Sequence, residues 1–87
     1  MARYELQVRP SAWKDVAAFP KKDLKKVLAR METLCADPRP PGSIKLSGLE
    51  YYRIRQGDYR IVYEIDDQHS AVVVAKIGHR GEVYRKR

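Results

Sequence analysis

Tyr4, Leu6 and Val8 alternate with Arg3, Glu5, Gln7 and Arg9. A period of two puts successive side chains on opposite faces of an extended chain, so the pattern predicts a half-buried strand ended by Pro10. Ser11 can cap a short helix in which Trp13, Val16 and Ala17 share a face, with Phe19-Pro20 breaking it. Between Lys21 and Ala36 the apolar residues Leu24, Val27, Leu28, Met31, Leu34 and Cys35 recur at helical spacing, which predicts a long amphipathic helix. Its opposite face is basic. Asp37-Pro38-Arg39-Pro40-Pro41-Gly42 cannot continue a helix, because proline lacks the amide donor and clashes with the preceding turn, so a stiff loop follows.

Beyond the loop the period becomes two. Tyr52 and Ile54 alternate with Arg53 and Arg55. Gln56-Gly57-Asp58 supplies turn residues, and Tyr59, Ile61, Tyr63 and Ile65 alternate with Arg60, Val62 and Glu64, which predicts a hairpin. Asp66-Asp67-Gln68 makes a second turn. Ala71 to Ile77 is apolar on both faces except at Lys76, as expected of a central strand, with Gly78 ending it. The resulting order is β-α-α-β-β-β. It predicts an α+β fold with a mainly antiparallel four-stranded sheet and two helices on one face. If the apolar members of the hairpin face the helices, alternation sends Arg53, Arg55 and Arg60 to the uncovered face.

The chain has 87 residues, enough for a single domain over 1–87 and too few for a second core. Eighteen basic against 11 acidic residues leave a net charge of +7, which favours a polyanionic partner without naming one. One cysteine and two histidines allow neither an intramolecular disulfide nor a zinc-ligand spacing, as in a reducing cytoplasmic setting. The N-terminus has no signal-peptide pattern. The longest apolar run, Ala71 to Ala75, is far short of the roughly 20 residues that span a bilayer, so no membrane segment is expected.

Three guanidinium groups on one open face repel one another unless an anion lies between them, and phosphate is a natural guest. The same arginines could instead solubilise the face, with Glu64 and Asp58 neutralising them. Gly78-His79-Arg80-Gly81-Glu82-Val83-Tyr84 brings further titratable and cationic groups beyond the central strand. Asp66 and Asp67 read as turn residues rather than as a metal-binding pair, so any hydrolysis is expected to be metal-free. Metal-free RNA cleavage needs a base for the 2'-hydroxyl, charge stabilisation at the phosphoryl oxygens and a proton for the leaving 5'-oxygen. Arginines suit the second task. Tyr84 could serve the first if neighbouring guanidiniums lower its pKa from about 10. Lys21, Lys22, Lys25 and Lys26 could follow an RNA backbone or form a solvated helix face. Trp13 and Phe19 read as core residues and Cys35 as a small buried hydrophobe, while His69 has no evident task.

Lys45-Leu46-Ser47-Gly48, Tyr52-Arg53-Ile54-Arg55, Gly57-Asp58-Tyr59-Arg60-Ile61-Val62-Tyr63 and Gly78-His79-Arg80 followed by Glu82-Val83-Tyr84 resemble the RelE family of toxins over nearly the whole chain. The resemblance implies a RelE-like microbial RNase fold. It also implies a ribosome-dependent mRNA endonuclease that cuts the A-site codon by 2'-hydroxyl attack, leaving a 2',3'-cyclic phosphate, with no cofactor or metal. Position by position, Tyr84 matches the family's general base, Arg60 its transition-state stabiliser and Arg80 the arginine near the leaving oxygen. Lys45, Arg53 and Arg55 match substrate-binding positions; the latter two are lysines in the best-known member, so a point cation becomes a planar fork. Because arginine holds its proton, Arg80 is expected to act as an electrostatic stabiliser, with the adjacent His79 as a candidate acid. The partners implied are a RelB-like antitoxin, the ribosome and its message, and operator DNA only through the antitoxin complex. Two alternatives share the fold: a ParE-like toxin that poisons DNA gyrase without cleaving RNA, and an inactive member that only binds its antitoxin.

Overall fold

The computed structural model describes residues 3–46 and 50–79. Its elements follow in the order β1 (Glu5–Val8), α1 (Pro10–Val16), α2 (Lys21–Ala36), β2 (Ile44–Lys45), β3 (Tyr52–Gln56), β4 (Tyr59–Asp66) and β5 (Ala71–His79). The five strands form one sheet in the order β1-β5-β4-β3-β2. β1 runs parallel to β5, and every other pairing is antiparallel. The α+β class and the order of the helices and longer strands agree with the sequence pattern. The two-residue β2 is an addition, too short to carry a periodic signal.

The core lies between α2 and one face of the sheet. Val27, Met31 and Leu34 of α2 are fully buried, and Ile54, Ile61, Tyr63, Val72, Val74 and Ile77 meet them from β3, β4 and β5. Leu24 and Leu28 flank this stripe half-buried. The Tyr63 hydroxyl, buried among apolar groups, donates to the Pro38 carbonyl at 2.6 Å and ties the proline-rich loop to the sheet. Burial pushes that phenol up to about 12. Asp67 in the β4–β5 turn accepts from Tyr4, just before β1, and from Arg39 of the loop, so one carboxylate joins three distant segments. Both donors hold its pKa below the ordinary carboxylate value. Among the described residues no helix is long and apolar enough to cross a membrane.

Helix α1 departs from the pattern in two respects. Pro10 begins the helix instead of merely ending the strand: its fixed φ suits a first helical turn, where a missing amide hydrogen costs nothing. The preceding Arg9 makes no side-chain cap, and Ser11 donates to the Ala75 carbonyl at 3.0 Å. The buried pair is then Ala12 and Val16, an i, i+4 set, while Trp13 is 49% exposed and is not a core residue. Phe19 stays half-buried, its ring 4.4 Å from that of Tyr59.

The sheet carries an irregularity that decides where the functional side chains go. Val62 pairs with Lys76 but Tyr63 pairs with Val74, so Ala75 is an extra residue on β5. Helix α1 satisfies the backbone there: Ser11 binds the Ala75 carbonyl, and the Asp15 carboxylate accepts the Ile77 amide at 3.0 Å. Crossing the bulge reverses the in-out phase of β5. Val72 and Val74 point to the core before it and Ile77 after it, while Lys76 is exposed.

Candidate functional site

The face of the sheet that the helices leave bare is built from alternate residues of β3, β4 and β5. Ile54 faces the core, so Arg53 and Arg55 lie on the other side, and by the same alternation Ile61 and Tyr63 send Arg60 and Val62 there. Arg55 and Arg60 stand directly opposite one another across β3 and β4. Arg53 pairs with Val62, whose other neighbour is Lys76, and Arg60 pairs with Gly78. Arg53, Arg55 and Arg60 therefore share one surface, as the alternation predicts, and Lys76 joins them. Lys76 stood out in the sequence as the one charge in an apolar run, but its face could not be assigned because the bulge is not visible there.

Two carboxylates beside this face have ion-pair partners among the described residues. Glu64 pairs with Arg9, just past the end of β1. Asp15 holds Lys76 at 3.5 Å. Among the described residues the Arg55 side chain makes no ion pair or hydrogen bond, and it is exposed. The hairpin end of β4 is thus cationic and its far end, at Glu64 and Asp66, anionic. This graded surface would seat a phosphate near Arg55 and Arg60 and repel it near Glu64.

Two of the candidate residues, Lys45 and His79, lie away from the arginines. Lys45 pairs with Tyr52, which stacks on Tyr63 on the helix side; Lys45 therefore shares that side, and Ile44, opposite Arg53, takes the arginine side. His79 pairs with Tyr59 and meets its ring edge-on, with centroids 5.6 Å apart, on the helix-bearing side of the sheet. The bulge is the cause. Without the extra residue, His79 would alternate onto the face of Arg60. The remaining sequence candidates, Arg80 and Tyr84, lie outside the described residues, as do Ser47, Gly48, Glu82 and Val83.

Behind the hairpin, on the helix side, the Tyr59 hydroxyl donates to Asp23 of α2 at 2.9 Å. That carboxylate raises the pKa of the phenol, so Tyr59 remains a neutral donor. Gln56, Tyr59 and His79 from the strands and Asp23 and Lys26 from the helix enclose a cavity of about 240 Å³ at this end.

Comparison with known proteins agrees with this geometry. A family model described as the ParE toxin of the type II toxin-antitoxin system, parDE, matches residues 6–84. A 35-residue stretch is 43% identical to toxin RelG of Mycobacterium tuberculosis, covering 40% of each chain. The fold superposes on a chain of the M. tuberculosis toxin-antitoxin complex RelBE2 with a TM-score of 0.81 and 27% identity, over 90% of this chain and 99% of that one. The archaeal RelE-RelB complex of Pyrococcus horikoshii gives the same TM-score and identity over 92% and 98%. The chain therefore belongs to the ParE toxin family, within the RelE/ParE superfamily, and is a toxin of a type II toxin-antitoxin system.

Proposed function

We propose that this toxin is an mRNA endonuclease that works in the ribosomal A site, cutting by attack of a ribose 2'-hydroxyl on the adjacent phosphorus without a metal. The observation that carries the reading is the opposition of Arg55 and Arg60 on the bare face, with Arg53 and Lys76 beside them. Two guanidiniums facing one another across a strand pair present a donor fork from each side, so a single bridging anion draws on both. A phosphodiester matches the planar forks of two guanidiniums.

In this reading Arg60 stabilises charge on the phosphoryl oxygens as the pentacoordinate transition state forms. Tyr84 removes the 2'-hydroxyl proton, and Arg80 stabilises the departing 5'-oxygen. Arg55 grips the same phosphate from across the strand pair, and Arg53 holds the flanking backbone. DNA lacks the attacking hydroxyl and is not cut. Lys45 and His79 project from the other side of the sheet, so neither is assigned to the reacting phosphate. A RelB-like antitoxin is the partner that restrains the toxin, by similarity to the RelE-RelB and RelBE2 complexes, and operator DNA is reached only through it. The setting is the cytoplasm, where the message is translated.

The name of the matching family model favours a second reading, a ParE-like toxin that poisons DNA gyrase. In vitro translation separates the two. Purified protein should cut a stalled message only when ribosomes are present, and Arg60→Ala and Tyr84→Phe should both abolish the cut. An intact message together with inhibited gyrase supercoiling would establish the second reading instead.

A further inference from the structure

The β3–β4 hairpin has different chemistry on its two sides, and the proposed function uses only one. Arg55 and Arg60 face the bare side; the neighbouring Gln56 and Tyr59 face the helix side, where they border the 240 Å³ cavity. One wall is aromatic: Tyr59 lies between Phe19, 4.4 Å away, and the edge-on ring of His79. The rim is polar and of mixed sign, with Asp58 at the hairpin tip, the Gln56 amide, and Asp23 and Lys26 one helical turn apart on α2. Tyr59 is fixed by its hydrogen bond to Asp23, so the wall is held in place before any ligand arrives.

From this juxtaposition we infer that the cavity binds one unstacked nucleobase, from the same RNA strand whose phosphate lies on Arg55 and Arg60. Two carboxylates disfavour a phosphate or other anion inside, and an aromatic wall favours a flat ring. Carboxylate acceptors next to lysine and amide donors match a base edge that presents N–H groups beside a carbonyl. Gly57 forms the saddle between the two sides. Its φ of +61° is one that residues with side chains rarely adopt, and nothing lies within 4 Å of where a Cβ would project, so a strand can cross the tip closely. Guanine, with two adjacent N–H donors beside its carbonyl, suits Asp58 and Lys26 better than uracil does.

The inference rests on the RNA reading for its biological sense, but it is tested without cleavage. Uncharged nucleosides are titrated into the isotope-labelled protein, with the backbone amides of Gly57 and His79 and the side-chain amide of Gln56 followed by NMR. Saturable shifts at those groups are expected, tighter for guanosine than for uridine. Asp58→Asn, an exposed turn substitution, should weaken guanosine about fivefold or more, because an amide has one acceptor oxygen and puts a donor where the second carboxylate oxygen would take the neighbouring N–H. Saturating nucleoside that leaves those resonances unmoved, or equal guanosine affinity in Asp58→Asn, overturns the inference. A protein that cuts message but shows no pocket shifts loses this inference alone. A protein that binds guanosine in the pocket but leaves message intact retains it and loses the endonuclease reading.

Discussion

Replacing Arg55 by glutamine should stabilise the free toxin while weakening its hold on RNA. Arg55 faces Arg60 across a strand pair, where Cβ atoms are about 5 Å apart, and the long side chains can splay so that their charges sit ~7 Å apart. Two unit charges at ~7 Å in water repel by about 0.6 kcal/mol before salt screening. Spread over the unfolding entropy of a chain this size, relief of that repulsion raises the melting temperature by about 3 °C. The assay is thermal unfolding of wild type, Arg55→Gln and Arg53→Gln at low salt and in 1 M salt. Arg53 faces Val62 instead of a cation, so its substitution should move the melting temperature less. In 1 M salt, where the Debye length is about 3 Å, the Arg55→Gln gain should vanish. The same variant should reduce the salt dependence of single-stranded RNA binding by one phosphate contact, a slope change of about 0.7. A lower melting temperature in Arg55→Gln at low salt, or a gain that persists at high salt, would refute the reasoning.

Tyr63→Phe leaves the buried Pro38 carbonyl without its donor and should cost about 1–3 kcal/mol in urea unfolding. The Tyr63 phenol is pushed up to about 12 in the fold against about 10 in the unfolded chain, so its share of stability is complete below pH 10 and is lost between about pH 10 and 12; the phenylalanine variant should lack that loss. Asp67 is shifted the other way by Tyr4 and Arg39, so its contribution is present above about pH 4 and disappears as pH falls through the lowered folded value. Asp67→Asn should flatten the acid limb of a stability-pH curve. Met31→Ala opens a cavity in the α2–sheet core and should cost about 2–5 kcal/mol, read as a lower urea midpoint.

The hairpin and the long helix were legible because each keeps one period over its length. Tyr52 through Ile65 and Leu24 through Cys35 both show which side faces the core, and the face of Arg53, Arg55 and Arg60 follows from that alone. β5 was not legible in the same way. Its run of Val72, Val73, Val74 and Ala75 is apolar on both faces, so a bulge within it leaves no mark in the pattern yet reverses everything after it. This reversal separates His79 from Arg60 and brings Lys76 to join it. Helix α1 is short enough that one step of helical phase exchanges Trp13 for Ala12 in the core, and two residues cannot announce β2. The ties made by Tyr4, Arg39 and Asp67 are long-range and have no local sequence signature.

The central claim is that opposed guanidiniums on the bare sheet face grip the phosphodiester that is cut. Its most direct measurement is single-turnover cleavage of a ribosome-bound message by wild type and Arg60→Ala, each checked for folding by its unfolding midpoint. A fall of about a hundredfold or more in the cleavage rate, with the fold intact, is the predicted result for loss of a transition-state charge donor. An Arg60→Ala protein that cuts at the wild-type rate would contradict it.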